Sequence, residues 1–349
     1  MPFRPVSGAT RDARPAAPGP GDSGRQGAGQ QATPDSAPAI PSSAPGLVSR
    51  AAPLLPYFAA LGAILCWASL AAALTRSLGA LRPQQILAYG MGVAGVALLA
   101  WDWARGRPPW RTWPDGPGVL LGLYGIFGYH ALLVAAFALA PPVQANILNY
   151  TWPLWIIVLG AWAAGQRVAG RVAVGGALGL AGAVLSLEPW TAGRAPLPAA
   201  AWLGLGLALA AGLCWGSFTV LLRRAGAATA HAMGWWCLLA ACAAAGWMLL
   251  GGVPFALAPG DLPAILYIGL VPLGVAFPLW QLATRRCALP VLGLLSYLTP
   301  PLSTLLLGWA ADRPATGWAW VGLAIVLGGA VLGGATLGGS ARAAGRRPG

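Results

Sequence analysis

Residues 60–76 read ALGAILCWASLAAALTR and residues 208–224 read ALAAGLCWGSFTVLLRR, so the chain repeats itself at an offset of 148. Two further matches keep almost the same register. LNYTWP (Leu148 to Pro153) faces LSYLTP (Leu295 to Pro300), and GGALGLAGAVL ending at Leu185 faces GLAIVLGGAVL ending at Leu332, both at an offset of 147. A self-match that holds one register along the chain marks a tandem duplication. Whatever the chain folds into must be built from two copies of one architecture.

The solvent for that architecture follows from composition. With 57% hydrophobic and 8% charged residues and a mean hydropathy of +0.67, the chain is too apolar for a water-soluble domain, and its apolar residues come in runs rather than along one periodic face. Crossing a bilayer takes roughly 20 predominantly apolar residues. Charges, prolines and glycines delimit ten such stretches, at 54–75, 84–103, 118–140, 143–164, 172–188, 199–222, 232–252, 262–283, 289–311 and 316–337. The expected fold is therefore all-α and integral to the membrane, with a first half over 54–188 and a second over 199–338. Residues 1–50 are rich in Pro, Gly, Ala, Ser and Arg and read as a disordered cytoplasmic tail; 339–349 read as a short C-terminal one. The first 50 residues hold no short apolar stretch with a small-residue cleavage site, so the helix starting near Leu54 is expected to be the first insertion signal.

All 21 basic residues are arginine and the net charge is +13, a balance that suggests nucleic acid until the positions are read. With the N-terminus inside, 17 of the 21 arginines fall on the cytoplasmic side, and only Arg76, Arg82, Arg194 and Arg313 fall outside. The positive-inside rule accounts for that pattern, puts both termini in the cytoplasm and leaves nucleic-acid binding without a role. The expected location is the inner membrane. The cysteines Cys66, Cys214, Cys237, Cys242 and Cys287 lie in or beside apolar stretches with no metal-binding spacing and read as small buried residues. No cofactor is implied.

Five spans per half is an odd number, so the second copy must enter the bilayer upside down relative to the first. Inverted repeats give two nearly equivalent conformations, one open to each side, with the substrate site near the midplane where the repeats meet. That is a transporter working by alternating access.

The ten-helix duplicated layout resembles the drug/metabolite transporter superfamily, EamA type, over about residues 54–338. The CWAS and CWGS motifs match its first and sixth helices. NYTWPLWIIVLGAWAAGQR (Asn149 to Arg167) is similar to the fourth helix of aromatic amino acid exporters of the YddG kind, and SYLTPPLSTLLLGWAADRP (Ser296 to Pro314) resembles their ninth. Many relatives carry Gly-Glu after these helices, where this chain has Gly165-Gln166 and Ala311-Asp312, so a role for a glutamate there does not carry over. The resemblance implies export of small metabolites, with amino acids bearing aromatic or apolar side chains as the substrate class; other metabolites or drugs are the alternative within the superfamily. The implied partners are an amino acid-like small molecule and the bilayer, and a homodimer stays open.

Polar groups within a bilayer are costly and usually line a pathway. His130, mid-way along the third span beside Tyr129, is the one clearly intramembrane ionisable side chain, set to donate to a substrate carboxylate, to switch charge near neutral pH as a proton antiporter would require, or to bond between helices. Asn146, Asn149 and Tyr150 precede Pro153, where a proline can break the helix and open a polar site. Trp67 and Trp215 occupy equivalent places in the two halves. Trp152, Trp280, Tyr297 and Ser217 complete the candidate pathway, with packing as the competing role for the tryptophans and the serine. Every Asp and Glu lies in the tail, in a loop or near a span end, which leaves no buried carboxylate to carry a proton or sodium ion, and no GxxxxGK[ST] loop is present to bind ATP. An integral-membrane enzyme would need a His converging with Asp, Glu or Cys near a membrane face; His231 has no acidic neighbour in sequence.

Overall fold

Proline and glycine set the ends and breaks of the helices. The structure, a computed structural model, describes residues 54–77, 81–191, 197–229, 231–310 and 316–344. The N-terminal segment expected to be disordered lies outside the described residues, as do 345–349 of the expected C-terminal tail. In chain order the helices are α1 (Leu55–Ser77), α2 (Pro83–Ala104), α3 (Gly116–Leu139), α4a (Pro142–Asn149), α4b (Trp152–Ala163), α5 (Gly170–Ser186), α6 (Ala199–Ala225), α7 (Met233–Leu250), α8 (Pro259–Arg286), α9a (Leu289–Ser296), α9b (Thr299–Ala310) and α10 (Gly317–Ala344). No strand occurs among the described residues. Among the described residues seven helices, with α9a and α9b taken as one, are long and apolar enough to cross a membrane: α2, α3, α6, α7, α8, α9 and α10. Helix α10 runs to Ala344, beyond the expected span end at 337, because nothing between Gly333 and Ala344 is a proline.

The duplication reaches into the irregularities. Helix α4 breaks at Tyr150 and Thr151 and α9 at Tyr297 and Leu298, positions 147 apart. In each case a proline follows (Pro153, Pro300) and cannot donate to the carbonyl four residues back. In the second half the Thr299 hydroxyl donates to that carbonyl, Ser296 O (2.9 Å), whereas in the first the Thr151 hydroxyl donates one residue earlier, to Leu148 O (2.7 Å). Wider π-helical stretches interrupt α3 at Leu123–Gly128 and α8 at Gly269–Val275, again in register. Such stretches concentrate at functional sites.

Helix pairing interlocks the halves. Helix α1 packs on α8 and α9 of the second half, and α6 packs on α3 and α4 of the first. Equivalent helices also pair directly, α2 with α7 and α5 with α10. A β-carbon built at Gly92 would lie 3.9 Å from Ala241, at Gly95 2.7 Å from Leu238 and at Gly234 2.8 Å from Leu99. Contacts that climb α2 thus descend α7, so the two run antiparallel. On the α5–α10 seam, a β-carbon at Gly175 would lie 2.5 Å from Gly329 O and one at Gly182 2.6 Å from Gly322 O. Adding 147 to 175 and 182 gives 322 and 329, so each contact is the two-fold image of the other.

Because backbone faces backbone along that seam, even a methyl group must push the helices apart. Gly182→Ala is expected to cost about 1–3 kcal/mol, the usual price of overpacking, seen as a lower melting temperature in detergent. Gly206→Ala, at a helical position with nothing within 4 Å, is expected to be neutral or slightly stabilising.

Candidate functional site

The exchange of first helices brings the CWAS and CWGS motifs together. Trp67 on α1 and Trp215 on α6 meet edge to face, ring centroids 5.6 Å apart at 82°. Trp152 lies 6.5 Å from Trp67 at 90°, Phe277 6.5 Å from Trp67 and 6.2 Å from Trp215, and Tyr129 4.9 Å from Trp215. Edge-to-face aromatic pairs add about 0.5–1.5 kcal/mol each beyond area burial.

Beside this cluster is a cavity of about 260 Å³. Eight of the residues singled out from sequence line it: Trp67, Tyr129, His130, Asn146, Asn149, Tyr150, Trp152 and Trp215. Three others lie elsewhere. Trp280, 1% exposed, backs the wall behind Trp67 (5.1 Å) and Trp152 (5.7 Å), and its N–H reaches the Thr219 hydroxyl at 3.4 Å. Tyr297 is sealed in a separate apolar cluster with Ile64, Ala183, Leu298 and Val326, its ring filling the space left by Gly179. The Ser217 hydroxyl bonds to Leu213 O (2.7 Å) and to the half-exposed Tyr124 hydroxyl (2.6 Å). In the other half the Ser69 hydroxyl accepts from Tyr267 at 2.7 Å, which marks both serines as ties between helices.

The lining residues outside the candidate set are Leu70, Leu133, Phe137, Leu273, Phe277, Thr299 and Ser303; of these only Thr299 stands out in the sequence, as a small hydroxyl with a packing role. Helical spacing reaches some of them, since Leu133 and Phe137 lie three and seven residues beyond His130. The repeat register reaches others: His130 plus 147 is Phe277, and Trp152 plus 147 is Thr299. Applied to the polar residues, the register exposes an asymmetry. Tyr129, His130, Asn146 and Asn149 of the first half correspond to Ala276, Phe277, Gly293 and Ser296 of the second. Most polar side chains on the lining thus come from α3 and α4, alongside Leu133, Phe137 and Trp152, while the second half contributes only the hydroxyls of Thr299 and Ser303 beside Trp215, Leu273 and Phe277.

The polar groups of α3 and α4 offer acceptors. His130 Nδ1 lies 2.6 Å from Ile126 O, four residues back at the π-helical stretch. A carbonyl oxygen only accepts, so Nδ1 carries the proton, and in the neutral ring Nε2 is left as an acceptor. Asn149, 4% exposed, extends its amide N–H toward the Tyr129 hydroxyl at 3.5 Å, while its carbonyl oxygen is buried without a partner. A buried, unpaired acceptor is costly unless something arrives to donate to it. No Asp, Glu, Lys or Arg lines the cavity.

The two central tryptophans differ in their bonding. The Trp67 indole N–H donates to Pro272 O in the π-helical stretch of α8, 3.0 Å away, and Trp215 has no such bond among the described residues. Trp67→Phe leaves a carbonyl unpaired and is expected to cost about 1–3 kcal/mol of stability. Trp215→Phe is expected to cost less than about 1 kcal/mol, both read by thermal melting in detergent.

Against known proteins, the sequence model of the EamA-like transporter family matches twice, over residues 54–187 and 202–333. The Aromatic amino acid exporter YddG of Ancylobacter novellus is 33% identical over 276 residues, which span 77% of this chain and 93% of that protein. A solved crystal structure with 30% sequence identity matches at a TM-score of 0.73, covering 80% of this chain and 96% of that one. Duplicated, helical and built around an aromatic-walled cavity, the chain is an integral membrane protein that belongs to the EamA-like transporter family.

Proposed function

We propose that the protein is an inner-membrane exporter of aromatic and large apolar amino acids. On this reading ten spans form two inverted halves of five, over 54–188 and 199–338, with both termini in the cytoplasm, and transport proceeds by alternating access. The antiparallel pairing of α2 with α7 and of α5 with α10 supports the inversion, since equivalent helices of parallel repeats would run the same way. The arginine distribution supports the orientation. The related exporter from Ancylobacter novellus supports the substrate class.

The observation that carries the reading is a cavity lined by both aromatic rings and uncharged polar side chains. At about 260 Å³ it falls just below the roughly 300–1,000 Å³ typical of drug-sized sites, a size suited to one amino acid. A ring enters among Trp67, Trp215 and Phe277. The ammonium group meets an acceptor at His130 Nε2, and the carboxylate meets donors at the Asn146 amide and Tyr150 hydroxyl. With no ionised side chain on the lining, a zwitterion balances its own charge, whereas aspartate or lysine would bring an unpaired charge into a low-dielectric site. For the same reason no lining carboxylate carries a coupling ion, and net export follows the substrate gradient.

Counterflow in proteoliposomes tests this. Vesicles loaded with phenylalanine or tryptophan are expected to accumulate labelled phenylalanine at the same rate with and without a pH gradient, and vesicles loaded with aspartate or lysine are not. Absence of exchange with every amino acid would overturn the substrate assignment and leave the wider range of EamA substrates; a rate that follows the pH gradient would overturn uncoupled transport. His130→Phe, which keeps the ring but removes the acceptor, is expected to lower exchange at least about tenfold, the worth of one charge-assisted hydrogen bond.

A further inference from the structure

The cavity extends from the central tryptophans toward the α3–α4 junction, taking in Phe137 near the end of α3 and Asn146 in α4a. The opposite end, where α4b, α6 and α8 finish, is closed by a set of polar ties. Arg223 at the end of α6 donates to Thr284 O (3.3 Å) and to Cys287 O, carbonyls at the end of α8. Arg224 donates to Ala163 O, the last residue of α4b, at 3.2 Å. The turn after α6, started by Gly226 at φ 55°, folds inward and buries Thr229 to 3% exposure. The Gln281 side chain on α8 donates to Thr229 O at 2.7 Å, and Arg285 reaches the Thr229 hydroxyl at 3.4 Å. Cations at helix C-termini satisfy carbonyls that have no partner within the helix and complement the helix dipole.

An inverted-repeat carrier has a second gate related to this one by the repeat register, and there the sequence holds different residues. Helices α1 and α6 end 148 apart, at Ser77 and Ala225, and α3 and α8 end 147 apart, at Leu139 and Arg286. Arg223 and Thr229 therefore correspond to Thr75 and Leu81, and Gln281 and Arg285 to Val134 and Ala138; only Arg224 keeps a counterpart, Arg76. We propose that Arg223, Thr229, Gln281 and Arg285 form a latch on the cytoplasmic gate whose residues are not repeated at the corresponding positions of the outer gate, which biases the empty carrier toward its outward-open state and sets the sidedness of its apparent affinity. When the inward-open form is the minor one, substrate on the cytoplasmic side binds with its affinity reduced by that fraction.

This inference rests on the alternating-access reading and the orientation proposed above, and its first test needs no substrate. Cys287, 0% exposed, lies under the latch and serves as a native reporter. The full-length protein in inside-out vesicles is treated with a membrane-impermeant maleimide, and modification of Cys287 is followed by peptide mass spectrometry. Arg223→Ala and Gln281→Leu are each expected to raise the labelling rate about tenfold, the equilibrium worth of one hydrogen bond to a charged or buried partner, while Arg223→Lys, which keeps a donor, stays within about twofold of wild type. In reconstituted vesicles Arg223→Ala is then expected to lower the half-saturating phenylalanine concentration on the cytoplasmic side by a similar factor and to leave exchange at saturating substrate on both sides within about twofold. Unchanged Cys287 labelling in folded, monodisperse Arg223→Ala and Gln281→Leu proteins overturns the latch. Raised labelling with no phenylalanine transport supports the latch and overturns the substrate assignment instead.

Discussion

The edge-to-face contact of Trp67 with Trp215, 5.6 Å apart, exists only because each half lends its first helix to the other. If α1 packed within its own half, the two tryptophans would sit on separate bundles and no shared cavity would form between them. The exchange converts two five-helix units, neither able to bury its inner face alone, into one body. It also fixes where a ligand can go, since the surfaces that meet at the exchange belong to both repeats. Everything polar in the site hangs from that frame: the π-helical stretches of α3 and α8 face the two tryptophans, and the proline breaks of α4 and α9 present their loosened turns beside them.

Symmetry supplies the frame, and departures from it supply the chemistry. At the cavity, equivalent positions hold His130 and Phe277, Trp152 and Thr299, Asn149 and Ser296. The differences give the two halves unlike contributions to one lining, with the amides and the histidine all from the first half. A lining that combines aromatic rings with uncharged polar groups suits a molecule with a charged head and an apolar ring. The same reasoning applies at the gates. Two conformations exchanged by exact two-fold symmetry would be equally populated, and unequal populations require unequal ties. Arginine is suited to that task, because its planar, weakly hydrated guanidinium can satisfy several carbonyls at once at the edge of the bilayer.

Much of the fold was legible in the sequence because membrane insertion leaves few options: apolar runs become helices, and an offset of 147–148 announces the duplication. The break in α4 was legible from Pro153, and the polar candidates that line the cavity were legible because a polar side chain within the bilayer is costly unless it faces the interior. The exchange of α1 and α6 was not legible, since hydrophobicity gives a helix's depth and not its neighbours. Tyr297 shows the limit of residue-type reasoning. It is the repeat partner of the cavity-lining Tyr150, yet it is buried against Gly179 in a different cluster, because its half of the pair faces α5 and α10. Ser217 and Trp280 were misplaced for a related reason. Ser217 follows the motif tryptophan Trp215 and Trp280 is one more large ring on a candidate cavity helix, but Ser217 sits on a helix face turned to Tyr124, and Trp280 stands one layer behind the lining. Phe277 and Thr299 were within reach, had the repeat register been applied to His130 and Trp152.

The central claim is that an aromatic amino acid occupies the cavity between the exchanged helices, its ring among the aromatic side chains and its backbone groups on the polar ones. Anomalous scattering from 4-bromophenylalanine bound to the crystallised protein locates that ring directly. A bromine peak among Trp67, Trp215 and Phe277, lost in the presence of excess phenylalanine, is the expected result. A peak elsewhere, or an empty cavity at a concentration that saturates exchange, would contradict it.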